Sequence, residues 1–335
     1  MRVSGISYSS DKKLARCEMQ YEYRYGQKLK ARVKKKGLYM GDVVHQLLDP
    51  YRKKEDWKKK FTEWKKTSWD KLFDEEREMY EEKKMSPALV LDLFSHYVEH
   101  WSEEDAEWEP VLVEEDFELM TKLGVPVRFK ADYVARHKKE GVLALFENKN
   151  NEEIPDAEQR MLAPQVHGYC FLLSKIKTKK FPQGLKIQRI VWDYIRTTPV
   201  TCPTINKDGS ISKRKINTDQ RTYLRFLKEN KIHPKGDEVI GLENFLKGLP
   251  ETLSVLRVVN RPNLKIGEMF VRQWIERARR AQSIQQPLRT WSRDCSWSCD
   301  YFNLCQADML GKPDRNTIIS RDFVRTGDIR NATNL

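Results

Sequence analysis

Gly141-Val-Leu-Ala-Leu-Phe146-Glu147-Asn148-Lys149 is the stretch on which the fold turns. Its apolar run reads as a buried strand, and a strand's period of two puts Leu143, Leu145, Glu147 and Lys149 on one face. Upstream, Val125-Pro-Val-Arg-Phe-Lys-Ala-Asp132-Tyr-Val-Ala135 alternates in the same way, and Arg136-His-Lys-Lys-Glu-Gly141 is a polar loop. Together they predict a hairpin whose open end brings Asp132 beside Glu147. Two carboxylates can hold a hard divalent cation through oxygen. A neighbouring lysine can then orient or deprotonate a metal-bound water for attack on a phosphodiester. Taken alone, Asp…Glu-x-Lys reads more often as a strand tip ending in solvated charges.

The same periodicities extend outward from this stretch. Val111, Val113, Glu115, Phe117 and Leu119 share one strand face, so Glu115 is expected to point inward and Glu114 and Asp116 outward. A buried carboxylate is costly unless paired or coordinated, which places Glu115 near the metal site. Residues 156–174 read as a helix with Leu162, Gln165, Tyr169 and Leu172 or Leu173 along one side. Ile187 to Arg196 reads as a further, interior strand. Residues 11–110 are mostly helical. Trp57, Phe61 and Trp64 fall at i, i+4 and i+7, a stripe better read as a packing face than as a base-stacking platform. His45, four residues after Gly41, is by itself a structural or exposed helix histidine.

Beyond the strands, Lys207-Asp-Gly-Ser210 is a turn signal. Asp219 to Asn230 reads as a helix, and Glu268 to Gln286 as a basic amphipathic one. After Gly311 the tail is polar and expected to lie over the surface. No internal repeat or low-complexity segment is present.

With 335 residues the chain can bury a substantial core. Charged residues make up 33%, and the net charge of +13 points to a polyanionic partner. Residues 24–36 form a basic run without an acid, and Lys175 to Lys180 is a second. Charge runs are usually solvated helix faces, but two of them flanking a phosphodiester site favour a nucleic-acid groove. No 18-residue apolar stretch exists to span a membrane, the N-terminus lacks the apolar core of a signal peptide, and the cytoplasm is the expected location. The absence of a Gly-x4-Gly-Lys-Ser/Thr loop excludes a motor within this sequence, and no nucleophile elbow or zinc-deaminase His-x-Glu is present.

Six cysteines, with Cys295-x3-Cys299-x5-Cys305 near one end and Cys17 near the other, fit metal ligation rather than a secreted disulfide framework. Zinc sites more often use two local pairs, whereas a distant 3+1 set suits an iron–sulfur cubane. Trp291, Trp297, Tyr301 and Phe302 would shield such a cluster from water. Structural zinc stays as the alternative. Cys170 is expected in the core, and Cys202 has no evident partner.

The order Gly41-x3-His45, Glu115, Asp132, Glu147-x-Lys149, Gln165-x3-Tyr169, with the four cysteines, resembles the PD-(D/E)XK nuclease superfamily. Most closely it is similar to the RecB-type branch, which includes the AddB nuclease domain and the CRISPR-associated four-cysteine exonucleases. The resemblance covers about residues 5–310, although that branch usually spaces its first two C-terminal cysteines by two residues rather than three. It implies a restriction-endonuclease-like α/β fold, a central mixed sheet flanked by helices. The expected organisation is a helical part over 1–110, a nuclease core over 111–200, an insertion over 201–262, a C-terminal helix with the cysteine cluster over 263–310, and a tail over 311–335.

The resemblance also implies that His45, Asp132, Glu147 and the Asn148 carbonyl hold Mg2+ or Mn2+, with Glu115 nearby. Lys149 activates water, Gln165 and Tyr169 position the strand, and Cys17, Cys295, Cys299 and Cys305 hold a 4Fe–4S cluster. The expected activity is that of an exonuclease on single-stranded or resected DNA ends in recombination, repair or phage DNA metabolism, with a separate helicase or recombination protein as partner. The alternatives are a structure-specific endonuclease of the same fold, or a non-catalytic DNA-binding adaptor. The intact Asp132, Glu147 and Lys149 weigh against the adaptor.

Overall fold

The predicted hairpin forms, and a five-stranded sheet is built around it. The protein is described from a computed structural model over residues 3–83, 85–151, 156–197, 200–207, 210–213, 217–233, 237–311 and 314–326. The first part holds α1 (Tyr8–Arg16), α2 (Glu18–Tyr21), β1 (Leu29–Ala31), α3 (Lys36–Arg52), α4 (Trp57–Trp64), α5 (Asp74–Glu82) and α6 (Pro87–Ala106). The strands β2 (Trp108–Met120), β3 (Pro126–His137) and β4 (Leu143–Asn151) follow, then α7 (Ala157–Met161), α8 (Pro164–Lys175) and β5 (Arg189–Arg196). Next come α9 (Gln220–Glu229), α10 (Asp237–Lys247), β6 (Val255–Asn260) and α11 (Leu264–Gln282). The chain closes with α12 (Cys295–Ser298), α13 (Phe302–Leu310), α14 (Arg315–Asp322) and β7 (Phe323–Arg325).

The sheet order is β2-β3-β4-β5-β6, with β4 and β5 parallel and the other neighbours antiparallel. A parallel pair needs a crossover, and α7 and α8 supply it. The strand alternation works as expected along β4. Leu143 and Leu145 enter the large core with α8 and α11, whereas Ala144 and Phe146 pack with Trp108, Tyr133 and Val191. Glu147 and Lys149, on the Leu143 side, therefore face α8. The Trp57, Phe61, Trp64 stripe is a packing face: Trp57 and Trp64 are buried among Tyr39, Val43, Leu47 and Phe94, with Phe61 packed alongside. Cys170 is fully buried in the large core, and Cys202 is exposed.

Two expectations change. The single helix over 156–174 is two helices: Pro164 opens α8 at its first turn, and Ala163 before it is extended, as the proline ring favours. The tail is not merely a surface coating. Phe323, Val324 and Arg325 pair antiparallel with Ala31, Lys30 and Leu29, and Ile318 and Phe323 are buried with Leu29 and Tyr301. The apolar residues of the tail are few, but they are placed where the basic run 24–36 leaves a strand edge open. Residues 208 and 209 of the expected 207–210 turn lie outside the described residues, while Ile205 and Ile211 on either side form an antiparallel bridge.

In the helix layer α8 and α11 nearly touch. A Cβ on Gly267 would stand 2.1 Å from the His167 carbonyl oxygen, and one on Gly168 would stand 2.5 Å from the Trp274 ring. Only glycine permits this backbone approach. It sets the close spacing of α8 and α11.

Candidate active site

The β3–β4 ladder ends at Tyr133 and Phe146, so Asp132 and Glu147 are the first residues past it, where the strands part. Asp132 Oδ2 spans the gap and accepts from the Asn148 backbone N–H at 3.1 Å. The opened strand end thus holds Asp132 and Glu147 as the hairpin predicts.

Glu147 is 1% exposed. Lys149 Nζ donates to its Oε1 at 2.5 Å and to Gln165 Oε1 at 3.2 Å. The ammonium is therefore held between the strand and α8. Burial pushes the Glu147 carboxyl up to about 7, against the lowering effect of Lys149, while Asp132 adds to the rise. For Lys149 burial works downward, but the Glu147 and Asp132 charges prevail and its pKa is raised, keeping it protonated at neutral pH. Tyr169 lies one turn beyond Gln165 on the same side of α8. It is buried against Phe129, with ring centroids 5.3 Å apart. Gln165 thus reaches the site, and Tyr169 is near enough that the Glu147 and Asp132 charges add to burial in raising its pKa.

His45 comes from α3. Its Nδ1 lies 2.8 Å from Oε1 of Glu114, not Glu115, and Glu114 Oε2 accepts from Lys130 at 2.7 Å. Glu115 is exposed. The expected alternation fails in β2 for two local reasons. The register shifts by one residue between Pro110 and Leu112, and Glu114 adopts a left-handed backbone at φ 51°. Val113 consequently packs with Trp108 and Tyr133, while Phe117 and Leu119, of the same parity, pack in the large core. The left-handed residue swings Glu114 to the hairpin mouth.

Ligand atoms of His45, Glu114 and Asp132 all lie within 4.8 Å of one another, and this is the sole such group of His, Cys, Asp or Glu side chains among the described residues. The donor set fits a divalent cation, since the two carboxylates suit Mg2+ or Mn2+ and the imidazole suits a transition metal such as Mn2+ better than Mg2+. Burial alone would lower the His45 pKa, but the bond to Glu114 and the charge of Asp132 raise it. Glu114 is lowered despite its burial, by His45 and Lys130. Beside the trio, Glu147 Oε2 is buried and has no hydrogen-bond partner, an oxygen with a lone pair to offer.

Behind this site runs a charge network that the sequence did not reveal. Arg52, two turns beyond His45 on α3, donates to Asn148 Oδ1 at 2.6 Å and lies 3.4 Å from Asp193. Asp193 is also bonded by Tyr97 and Arg257, and Arg257 reaches Asp105 at 2.6 Å. The two guanidinium groups face Asp193, Asp105 and, at the outer end, Glu104, 3.1 Å from Arg257, and this pairing is how charges this deep are tolerated. The Asn148 side chain is thereby committed to Arg52 through its oxygen.

The four cysteines come together from both ends of the chain. Cys17, Cys295, Cys299 and Cys305 line one cavity with Tyr23, Trp291, Tyr301 and Phe302, and all four are free thiols. No three of their sulfurs lie within 4.8 Å of one another. Burial raises the thiols of Cys299 and Cys305, with Arg289 acting in the opposite direction on Cys305.

No curated protein matches the sequence significantly. Among solved structures, a protein from Eubacterium rectale described as "Putative exonuclease" is 12% identical. The match covers 88% of this chain and 93% of that one with a TM-score of 0.37, a superposition too low to bear on activity. The profile of the PD-(D/E)XK nuclease superfamily matches residues 5–306. Because that span runs from before α1 to Cys305 and takes in every residue of the site just described, the chain belongs to the PD-(D/E)XK nuclease superfamily.

Proposed function

We propose that the protein is a divalent-metal-dependent deoxyribonuclease that works as an exonuclease on single-stranded or resected DNA ends. The observation that carries this reading is the Glu147–Lys149–Gln165 chain standing beside the His45, Glu114 and Asp132 trio. His45, Glu114, Asp132 and Glu147 are the side chains that would hold Mg2+ or Mn2+. When bound, such a cation neutralises charge on a phosphoryl oxygen. Glu114 takes the place that the strand alternation gave to Glu115. Lys149, held protonated between Glu147 and Gln165, offers its charge to the anionic transition state and a donor to orient the attacking water. The chain's net charge of +13 supports a polyanionic substrate.

We further propose that Cys17, Cys295, Cys299 and Cys305 hold a 4Fe–4S cluster. What supports a bound group is the one cavity that the four cysteines share with the buried rings of Tyr23 and Tyr301; Trp291 and Trp297, expected to shield it from water, are exposed. A separate helicase or recombination protein as partner remains part of the same reading.

The test is incubation of the purified protein with end-labelled single-stranded and duplex DNA, with Mn2+ and with EDTA. Mononucleotides released from single-stranded ends in Mn2+ alone are the expected result. Internal fragments from circular DNA would make the protein an endonuclease. No cleavage in any metal, from a protein that still binds DNA, would return the adaptor reading.

A further inference from the structure

Beside the catalytic pair lies a cleft of about 470 Å³ that shares Lys149 and Gln165 with it and whose remaining walls the chemistry above does not use. Its floor is set by the parallel β4–β5 register, which places Trp192 next to Glu147 and Tyr194 next to Lys149. Both rings therefore stand on the sheet face that carries the catalytic pair. They are nearly parallel, 13° apart, with centroids at 6.4 Å. The rim is cationic, formed by Lys12 of α1, Arg160 of α7 and Lys149 itself.

Trp192 carries the decisive detail. It is 3% exposed, lines the cleft, and its Nε1 is buried with no hydrogen-bond partner. A buried donor left unsatisfied is destabilising, and an acceptor brought by a ligand into the adjoining cleft would relieve that cost. The ring of Tyr8, from α1, adds apolar surface to the wall. The ligand must then combine an anion for the rim, a planar ring for the aromatic wall, and an acceptor for the indole N–H, within a volume of small-molecule size.

From these features we infer that the cleft is a mononucleotide subsite, which takes one unpaired deoxynucleotide of the strand next to the phosphodiester being cut. Lys12 and Arg160 engage its phosphate, the half-buried Tyr8 ring packs against its base, and the Trp192 indole N–H offers the donor. A base held in a duplex cannot enter, because its Watson–Crick edge and both faces are occupied. The subsite thus selects single-stranded or frayed ends. The inference rests on the hydrolysis reading for its biological meaning, since Lys149 belongs to both the cleft and the catalytic chain.

The experiment is isothermal titration of the protein in EDTA with deoxynucleoside 5′-monophosphate, with inorganic phosphate and with the unphosphorylated deoxynucleoside. The monophosphate should bind at least about tenfold more tightly than either fragment. Trp192→Phe, which keeps a ring and removes the donor, should weaken it by about tenfold, the size of one hydrogen bond. Should Trp192→Phe fail to fold, Lys12→Ala on the exposed rim should lower affinity for monophosphate and phosphate together. Equal affinity for monophosphate and phosphate would overturn the inference, as would a folded Trp192→Phe, or Lys12→Ala, that binds the monophosphate like the wild type. DNA cleavage measured on the same preparations separates the two readings. Cleavage without monophosphate selectivity sinks the subsite alone, and selectivity without cleavage sinks the hydrolysis reading alone.

Discussion

Glu114 Oε1 lies 2.8 Å from His45 Nδ1, and the neighbouring Glu115 points into solvent. One left-handed residue at the hairpin mouth thus decides which of two adjacent glutamates serves the site. Glu114→Ala should lower Mn2+ affinity by about 10- to 100-fold, the usual loss when a group that holds or orients a metal ligand is removed. Glu115→Ala should leave affinity unchanged and stability within about 0.5 kcal/mol. Titration with Mn2+ followed by calorimetry reads both. A Glu115→Ala protein that lost more affinity than Glu114→Ala would show that the alternation, and not the left-handed residue, governs the site.

The pair also marks where sequence reading ends. Glu147, Lys149, Gln165 and Asp132 were legible because each depends on a local period: two along β4, three to four along α8, and a short hairpin between β3 and β4. The aromatic stripe at Trp57 and Trp64 was legible for the same reason. Glu114 was not, because a bulge at Pro110–Leu112 and one positive φ leave no periodic trace. Trp192 and Tyr194 read only as interior strand residues. Their place beside Glu147 and Lys149 is set by the register of a parallel crossover, a long-range choice that no local pattern encodes. The same holds for Arg52 and Asp193, 141 residues apart, and for the pairing of β1 with β7.

Arg52 ties the metal-facing helix to the sheet. Its side chain is 4% exposed and joins Asn148 and Asp193, themselves buried. Arg52→Met should destabilise the protein by about 3–5 kcal/mol, because it leaves part of the Asp193 charge uncompensated. Arg52→Lys, which keeps the charge but cannot form the same fork, should fall between the variant and the wild type. Urea unfolding at neutral pH measures the series. An Arg52→Met protein as stable as the wild type would mean that Arg257 and Tyr97 alone satisfy Asp193.

Stability should also fall in mild acid through His96. This side chain is 4% exposed, its Nε2 lies 2.9 Å from the Thr252 hydroxyl, and its Nδ1 is buried without a partner. Burial, with help from Arg221 and His100, lowers its pKa from 6.5 to about 4. Between those values the unfolded chain binds a proton that the folded protein refuses, so stability rises with pH across this window and is lost as pH falls. One such group changes stability by at most about 1.4 kcal/mol per pH unit. Unfolding free energies at pH 6.5 and pH 5 should therefore differ more in the wild type than in His96→Gln. Identical slopes would show that His96 titrates alike in both states.

Cys17 is the one cysteine of its set that comes from the N-terminal end, and the cavity it shares with Cys295, Cys299 and Cys305 joins the two ends of the fold. A group bridging all four would close a loop of nearly the whole chain. By the chain-entropy argument used for cross-links, closing a loop of this length is worth on the order of 5 kcal/mol. The side chains proposed to act in catalysis lie elsewhere, on α3, β2, β3, β4 and α8, so the effect on activity should be indirect. Cys17→Ala should therefore lower bound iron, absorbance near 400 nm and melting temperature together, and activity only as the folded fraction falls. Cys202→Ala, at an exposed position, should change none of these. One zinc per chain and no iron in the wild type would replace the cluster with structural zinc while leaving the stability prediction in force. A Cys17→Ala protein that melts at the wild-type temperature but cuts no DNA would instead put the cysteine site in direct contact with the substrate.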